Sequence, residues 1–284
     1  MKKIFFFIMA FMVSLPLTAQ NSNSNINVSI SPAINSDLQQ ILLNRLMQEP
    51  SQSFCDDVND TASGCDWSTI PWDNFVDFDT LPDFPDCPLV VSYRVRICPN
   101  NPLIRQIDLV DIMINLGDYP NCDSLYNYLS SGTPEENAIH YQEIKEDIYF
   151  SLSQREAEQM ADLPPCDSLG NYLPQTVFYK EQACKAEIVL IYDFEPPFQL
   201  YNIPKFVFED IACNREVGCC KTTFSFCQDS LGNINPHITK ELLGTICEGY
   251  PIELDYEDLL RYYEKLYPGA YTIFQIYPCV NVCN

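Results

Sequence analysis

Alternating apolar and polar positions run through residues 87–98 and predict an extended strand with one buried face. The odd positions are apolar, whereas the even positions include Arg94 and Arg96. A period of two is typical of a strand packed on a core. Cys87 falls on the apolar face and Cys98 on the polar face. Such a strand separates them by roughly 36 Å, and a disulfide needs Cα atoms within about 7 Å, so each should bond to another element.

Three later segments, 184–194, 220–227 and 270–278, also predict strands, and the first two begin with a cysteine on the apolar side. The apolar segment 104–114 fits a second strand or a short helix. Together with predicted helices, these segments favour an α+β fold, disulfide-rich, with antiparallel strands and a few amphipathic helices.

The predicted helices follow from capping signals and apolar stripes. Thr133 precedes Pro134 and stands three residues before Glu136, which is a capping-box pattern, and apolar residues then recur at helical spacing. This pattern predicts a helix over 134–160. Shorter helices are predicted over 36–48 and 255–267.

The order of the cysteines suggests a diverged internal duplication. Cys87, Cys98 and Cys122 match Cys220, Cys227 and Cys247 in order, and a predicted helix follows each set. We therefore divide the chain into a signal peptide (1–20), a polar segment with a short helix (21–50), and two cysteine-rich modules, 51–165 and 166–284. The first module carries an acidic, aromatic loop.

A shorter pattern, Asp-Ser-Leu-x-Asn, occurs at 123–127, 167–171 and 229–233. Asp and Ser bond turn backbones, and Gly tolerates a positive φ. Turns at strand ends are favoured over ligand binding.

The first twenty residues have the features of a signal peptide, with a basic start, an apolar run and a small residue at Ala19. We expect an exported chain located outside the cell, on its surface or in the periplasm. No later segment is apolar enough to predict a membrane span.

Export explains the 14 cysteines as disulfide partners. They are Cys55, Cys65, Cys87, Cys98, Cys122, Cys166, Cys184, Cys213, Cys219, Cys220, Cys227, Cys247, Cys279 and Cys283. No C-x2-C pair, the spacing typical of a zinc site, occurs. Cys55 is expected to pair with Cys65 across a polar loop, and the adjacent Cys219 and Cys220 should have different partners because alternation points them to opposite faces.

The net charge is −23, and removing Lys2 and Lys3 with the signal peptide makes it −25. Such a surface repels nucleic acid and anionic membranes. It suits solubility, a basic partner or calcium, and the aromatic residues that lie among the acids could bind a protein or a glycan. An EF-hand loop counted from Asp57 fails, because its glycine and glutamate positions hold Ala62 and Ser68. A looser calcium site is left open, and no other cofactor is expected.

The interval 46–93 has no Lys or Arg and contains both tryptophans. Tryptophan is enriched at binding hot spots. The candidate binding residues are Trp67, Trp72, Asp73, Asp77 and Asp79. The alternative is a long loop with buried tryptophans and solvated aspartates.

No catalytic motif occurs. The order of His140, Glu143 and His237 resembles the zinc ligands of metallocarboxypeptidases, but nothing else matches that family, and His140 is expected at the surface of its helix. The sequence favours a secreted or cell-surface protein with a binding or structural role. The alternative is an extracellular hydrolase that uses paired carboxylates.

Overall fold

The structure, a computed structural model, describes the following residues: 28–30, 55, 64–115, 122–160, 163–166, 175–192, 205–212, 218–244, 261, 271–276 and 280–283. The predicted helix over 36–48 lies outside them, as does the helix over 255–267 except for Arg261, which is helical.

The fold is mixed, with two helices packed on a sheet of eleven strands in the described part. The strands are β1 Val28–Ile30, β2 Asp73–Leu81, β3 Phe84–Ile97, β4 Ile104–Asn115, β5 Gln175–Gln182, β6 Cys184–Tyr192, β7 Lys205–Ala212, β8 Cys219–Gln228, β9 Ile234–Leu243, β10 Tyr271–Ile276 and β11 Val280–Asn281. The helices are α1 Asp123–Ser130 and α2 Pro134–Glu158.

The sheet forks at β4. One path runs β1-β2-β3-β4-β5-β8-β9, and a second leaves β4 through β7 to β6, which also pairs with β10 and β11. Most neighbours are antiparallel, while β1–β2 and β4–β5 are parallel. The predicted strands at 87–98, 184–194, 220–227 and 270–278 are confirmed with small shifts of their ends.

The core lies between the sheet and the two helices. The capping box at Thr133 is present, with Glu136 N–H donating to Thr133 Oγ1 and Thr133 N–H to Glu136 Oε2. The odd-numbered side chains of β3 from Cys87 to Val95 and the apolar stripe of α2 belong to one buried cluster, including Leu89, Val91, Tyr93, Val95, Tyr141, Ile144, Ile148 and Leu152.

The prediction of a single buried face on β3 is wrong. Ser92, Arg94 and Arg96 on the polar face are 1%, 6% and 3% exposed. A buried arginine needs partners for its charge and its donors. The Trp67 carbonyl, Gln106 and Asp108 provide those partners.

The predicted Cys55–Cys65 disulfide is also wrong. Cys55 bonds to Cys219, and Cys65 bonds to Cys98 with 5.9 Å between their Cα atoms. The length of the loop favours the Cys55–Cys65 pair. In the fold, however, the segment that carries Cys65 lies against the polar face of β3, beside Cys98.

The prediction that the cysteines at the two ends of β3 bond elsewhere is confirmed. Cys87 bonds to Cys122, the residue before α1, with 4.7 Å between Cα atoms. Cys98 bonds to Cys65. Each disulfide therefore attaches a different segment to β3, one on the helix side and one on the opposite side.

Three further disulfides join distant parts of the chain. They are Cys55–Cys219, Cys166–Cys227 and Cys220–Cys283, and Cys184 is disulfide-bonded as well. Adjacent Cys219 and Cys220 have different partners, as predicted. Cys213, Cys247 and Cys279 lie outside the described residues.

Two local predictions missed elements. The aspartate-rich stretch taken as loop contains β2, which pairs with β3 along nearly its whole length. The first Asp-Ser-Leu-x-Asn pattern begins α1 rather than a turn. The second, at 167–171, lies outside the described residues, and the third, at 229–233, is a turn.

Candidate functional site

The two tryptophans of the predicted binding segment surround one buried arginine. Trp67 begins a short 3-10 turn, Trp67–Thr69, and is 4% exposed, whereas Trp72 is half-buried. The Arg96 guanidinium lies 5.4 Å from the Trp67 ring centroid and 4.1 Å from that of Trp72. Trp67 also contacts Phe178 edge-to-face at 5.2 Å. Trp67 is thus a core residue that covers the sheet.

Hydrogen bonds complete the environment of Arg96. Its Nη1 donates to the Trp67 carbonyl at 2.6 Å, and its Nε and Nη2 donate to Gln106 Oε1 at 3.0 and 2.7 Å. The neighbouring Arg94 pairs with Asp108. Planar guanidinium groups suit this combination of stacking and forked donation. Arg96 and Arg94 can be buried on the polar face of β3 because these partners accept their hydrogen bonds and balance the charge of Arg94.

The acidic residues of the predicted site lie on β2, and two of them contact Arg155 of α2. Asp79 is buried, and its Oδ1 lies 2.9 Å from Arg155 Nη2 and accepts a bond from Ser151 Oγ at 3.0 Å. Asp77 Oδ2 lies 3.5 Å from Arg155 Nη1. Burial raises the pKa of Tyr93 beside them to about 12. Asp73, at the start of the strand, is exposed.

The structure thus separates four of the five predicted site residues into two groups, and the fifth, Asp73, is exposed at the start of β2. Trp67 and Trp72 cover Arg96, whereas Asp77 and Asp79 contact Arg155 on the helix. The side chains of both groups make these contacts within the chain itself. Their proposed role in binding a partner stays a prediction.

His140, predicted at the surface of α2, is half-buried against α1. Its ring stacks on Tyr128 with centroids 3.9 Å apart, and its Nδ1 lies 2.8 Å from the Tyr128 carbonyl oxygen. Tyr128 also donates to Glu143 Oε2 at 2.6 Å. His140 and Tyr128 thus connect α2 to α1. No group of three or more His, Cys, Asp or Glu side chains within the described residues could hold a metal ion.

A buried ionic cluster lies between α2, β5 and β6. Glu181 Oε2 is 2.5 Å from Lys185 Nζ and 3.8 Å from Lys145 Nζ, and all three side chains are at most 7% exposed. Gln142 Nε2 donates to Glu181 Oε1 and to Glu146 Oε1, each at 3.3 Å. Buried charges of this kind are stable only when paired. The cluster fixes the register of α2 on the sheet.

The β8–β9 hairpin carries a different kind of surface. In its connecting turn, Asp229 Oδ1 accepts the backbone N–H groups of Leu231 and Asn233, both at 2.8 Å, and Asp229 Oδ2 accepts from Asn233 Nδ2. These bonds, led by that of the Asn233 side chain, lower the pKa of Asp229. Gly232 has a φ of +88°, as the turn prediction requires. The Cys166–Cys227 disulfide attaches the turn end of the hairpin, because Cys227 lies two residues before Asp229.

This ordered turn holds an apolar side chain in solvent. Leu231 is 85% exposed, and on β9 Ile238 and Leu242 are 50% and 37% exposed. Exposed apolar patches mark interaction sites, and Ile238 and Leu242 lie on the same face of β9. We call the surface of Cys219–Leu243 the hairpin surface.

The hairpin surface has no net charge, although the chain is strongly acidic. Within residues 219–243, Lys221 and Lys240 balance Asp229 and Glu241, so the sum is 2 − 2 = 0, against −23 for all 284 residues. The sequence prediction missed this surface. Alternating Ile234, Pro236, Ile238 and Leu242 was a signal that could have revealed it.

Comparisons of the chain with protein-family models, curated proteins and solved structures found no match. Neither helix of the described part is long and apolar enough to span a membrane. The evidence for function therefore comes from the surface of the chain and the packing of its side chains.

Proposed function

We propose that the protein is an exported, disulfide-stabilised binding protein whose contact surface is the hairpin surface. The observation that supports this most directly is Leu231, 85% exposed on a turn held by the bonds to Asp229. The bonds to Asp229 fix the backbone of the turn, so little backbone entropy is lost when Leu231 binds. The apolar group is therefore suited to enter a pocket of a partner.

Charge supports the same surface. The whole chain has a net charge of −23, whereas the residues of the hairpin surface contribute no net charge. We expect a protein partner with a small apolar pocket. A glycan partner, which the aromatic segment suggested, has less support, because Trp67 is 4% exposed.

The test compares two variants that add the same charge at adjacent exposed positions. Immobilised mature chain, Leu231→Asp and Ser230→Asp are incubated with extracellular and cell-surface fractions of the producing organism. A partner retained by the wild type and by Ser230→Asp, but lost with Leu231→Asp, supports the proposal. If both variants retain every partner equally, the hairpin surface is not the contact site.

The same experiment, run with and without calcium, tests the prediction of a calcium site. Repeating it at high salt separates the two candidate surfaces. Binding through Leu231 should change little as salt rises, whereas binding of a basic partner through Asp73 and its neighbours should weaken.

The proposal includes export, which the predicted signal peptide and the disulfides support. The paired modules stay a prediction, and the pairing of Cys220 with Cys283 rather than Cys247 does not support the proposed equivalence to Cys87–Cys122. The hydrolase alternative has no supporting geometry in Asp77 and Asp79, since Arg155 lies beside both.

A further inference from the structure

Strand β9 forms an edge of the sheet in the described part of the chain. It pairs with β8 over Ile234–Leu243, and no other described strand pairs with it. Most of its residues are exposed on both faces. A ten-residue edge strand offers unpaired backbone donors and acceptors to another strand.

The hydrogen bonds of the turn show which backbone groups face outward. Asp229 N–H donates to Asn233 O at 2.9 Å, whereas Gln228 N–H points away from β9 and donates to Pro164 O at 2.8 Å. Antiparallel pairs alternate between bonded and non-bonded. The odd residues of β9 therefore bond to β8, and the even residues direct their N–H and C=O groups to the outer edge.

Pro236 agrees with this assignment. It is an even residue, so its missing N–H removes no bond to β8, and proline within sheets is confined to such edge positions. Ile238, Lys240 and Leu242 keep outward N–H groups. The outer edge can still form a ladder beyond the proline.

We propose that two copies of the chain pair through the outer edges of β9, antiparallel about a two-fold axis at Thr239. This inference rests on the proposed role of the hairpin surface and names a second copy as its partner. The axis places His237 opposite Glu241 of the second copy and Thr239 opposite its own counterpart. Opposite-charge or hydrogen-bonding pairs and Thr–Thr pairs stabilise antiparallel strands.

The other face of the same register is also complementary. Ile238 lies opposite Lys240 of the second copy, whose aliphatic stem can cover it. Leu242 lies opposite Pro236. Like charges do not meet across the strands, and the residues of the hairpin surface add no net charge of their own to the contact.

Cysteine cross-linking tests the axis. Thr239→Cys would place two thiols at a non-bonded pair, where Cα atoms are about 4.5 Å apart, within the range for a disulfide. Ser230→Cys, exposed at the turn, is the matched control. We expect Thr239→Cys to form a covalent dimer at least tenfold faster, with a cross-linked peptide that contains residue 239 twice. Equal rates for the two variants would overturn the proposal.

Sedimentation of the wild type provides a test without a new thiol. A pairing of two strands is small for a specific interface, so we expect dimer formation at about 10 µM or above. Rising salt should favour the dimer by screening the net charge. Thr239→Glu should abolish the dimer, while Thr239→Val should keep it. A wild type that stays monomeric up to about 1 mM contradicts the pairing.

The two proposals fail separately. Thr239 lies in mid-strand and Leu231 at the turn. If cross-linking fails while Leu231→Asp still loses a partner, only the two-fold pairing is wrong.

Discussion

The guanidinium of Arg96 lies 4.1 Å from the ring centroid of Trp72, on a face of β3 that is shielded from solvent. A cation over an aromatic ring contributes about 2 kcal/mol when both are desolvated. The same arginine donates to the Trp67 carbonyl, which lies 29 residues earlier in the chain. A single side chain thus fixes the aromatic segment to the sheet.

Arg96→Lys should destabilise the protein. Lysine keeps the charge but cannot stack as a plane and also donate to both Trp67 and Gln106. We expect a loss of about 1–3 kcal/mol in the free energy of unfolding, measured by denaturant titration. Lys240→Arg, which exchanges one basic side chain for another at an exposed position of β9, is the control and should change it by less than about 0.5 kcal/mol. Equal effects would mean that the Arg96 contacts contribute nothing specific.

Trp72→Ala distinguishes a structural role from a binding role. Because Trp72 covers Arg96, we expect its removal to lower the free energy of unfolding by about 1–3 kcal/mol. Partner capture by the folded variant should be unchanged. Thermal unfolding and the capture assay measure the two effects. Lost capture with unchanged stability would favour the predicted binding site at Trp67, Trp72, Asp73, Asp77 and Asp79.

Glu181→Gln tests the buried ionic cluster. It leaves Lys145 and Lys185 near a neutral amide, and breaking a buried pair in this way costs about 3–5 kcal/mol. Glu146→Gln is the matched control, since Glu146 pairs with Lys240 near solvent and such pairs contribute about 0–1 kcal/mol. Chemical denaturation of both variants measures the difference. Similar losses would show that burial of Glu181 has little energetic effect.

Local signals were sufficient for several elements and insufficient for their environment. Alternation predicted β3, and the capping box predicted α2, because both depend on neighbours in sequence. The aspartates of β2 indicated a loop because polar residues are typical of loops. Their partner Arg155 lies 76 residues from Asp79 in the sequence. No local rule shows that a distant arginine will pair with them.

The disulfides show the same limit. Sequence spacing excluded a Cys87–Cys98 bond, because strand length alone decides it. Spacing favoured Cys55–Cys65, and the fold instead places Cys55 beside Cys219, 164 residues away. The hairpin surface was overlooked for a related reason, since the exposure of β9 depends on its position at the edge of the sheet.

Acid should loosen the hairpin turn. The folded-state pKa of Asp229 is lowered, so its contribution to stability is complete above the unfolded value of about 3.9 and is lost as pH falls through the folded value. The amide resonances of Leu231 and Asn233 should therefore shift in a titration from about pH 5 to about pH 2. Asp229→Asn should remove this dependence. Unchanged shifts in the wild type would contradict the role of the carboxylate.

The attachment of separate segments to the two faces of β3 is the central claim, and disulfide mapping tests it most directly. The mature chain is digested without reduction, and the linked peptides are identified by mass spectrometry. We predict one peptide pair joining Cys87 to Cys122 and another joining Cys98 to Cys65. A peptide pair that joins Cys55 to Cys65, or Cys98 to any residue other than Cys65, would contradict the account.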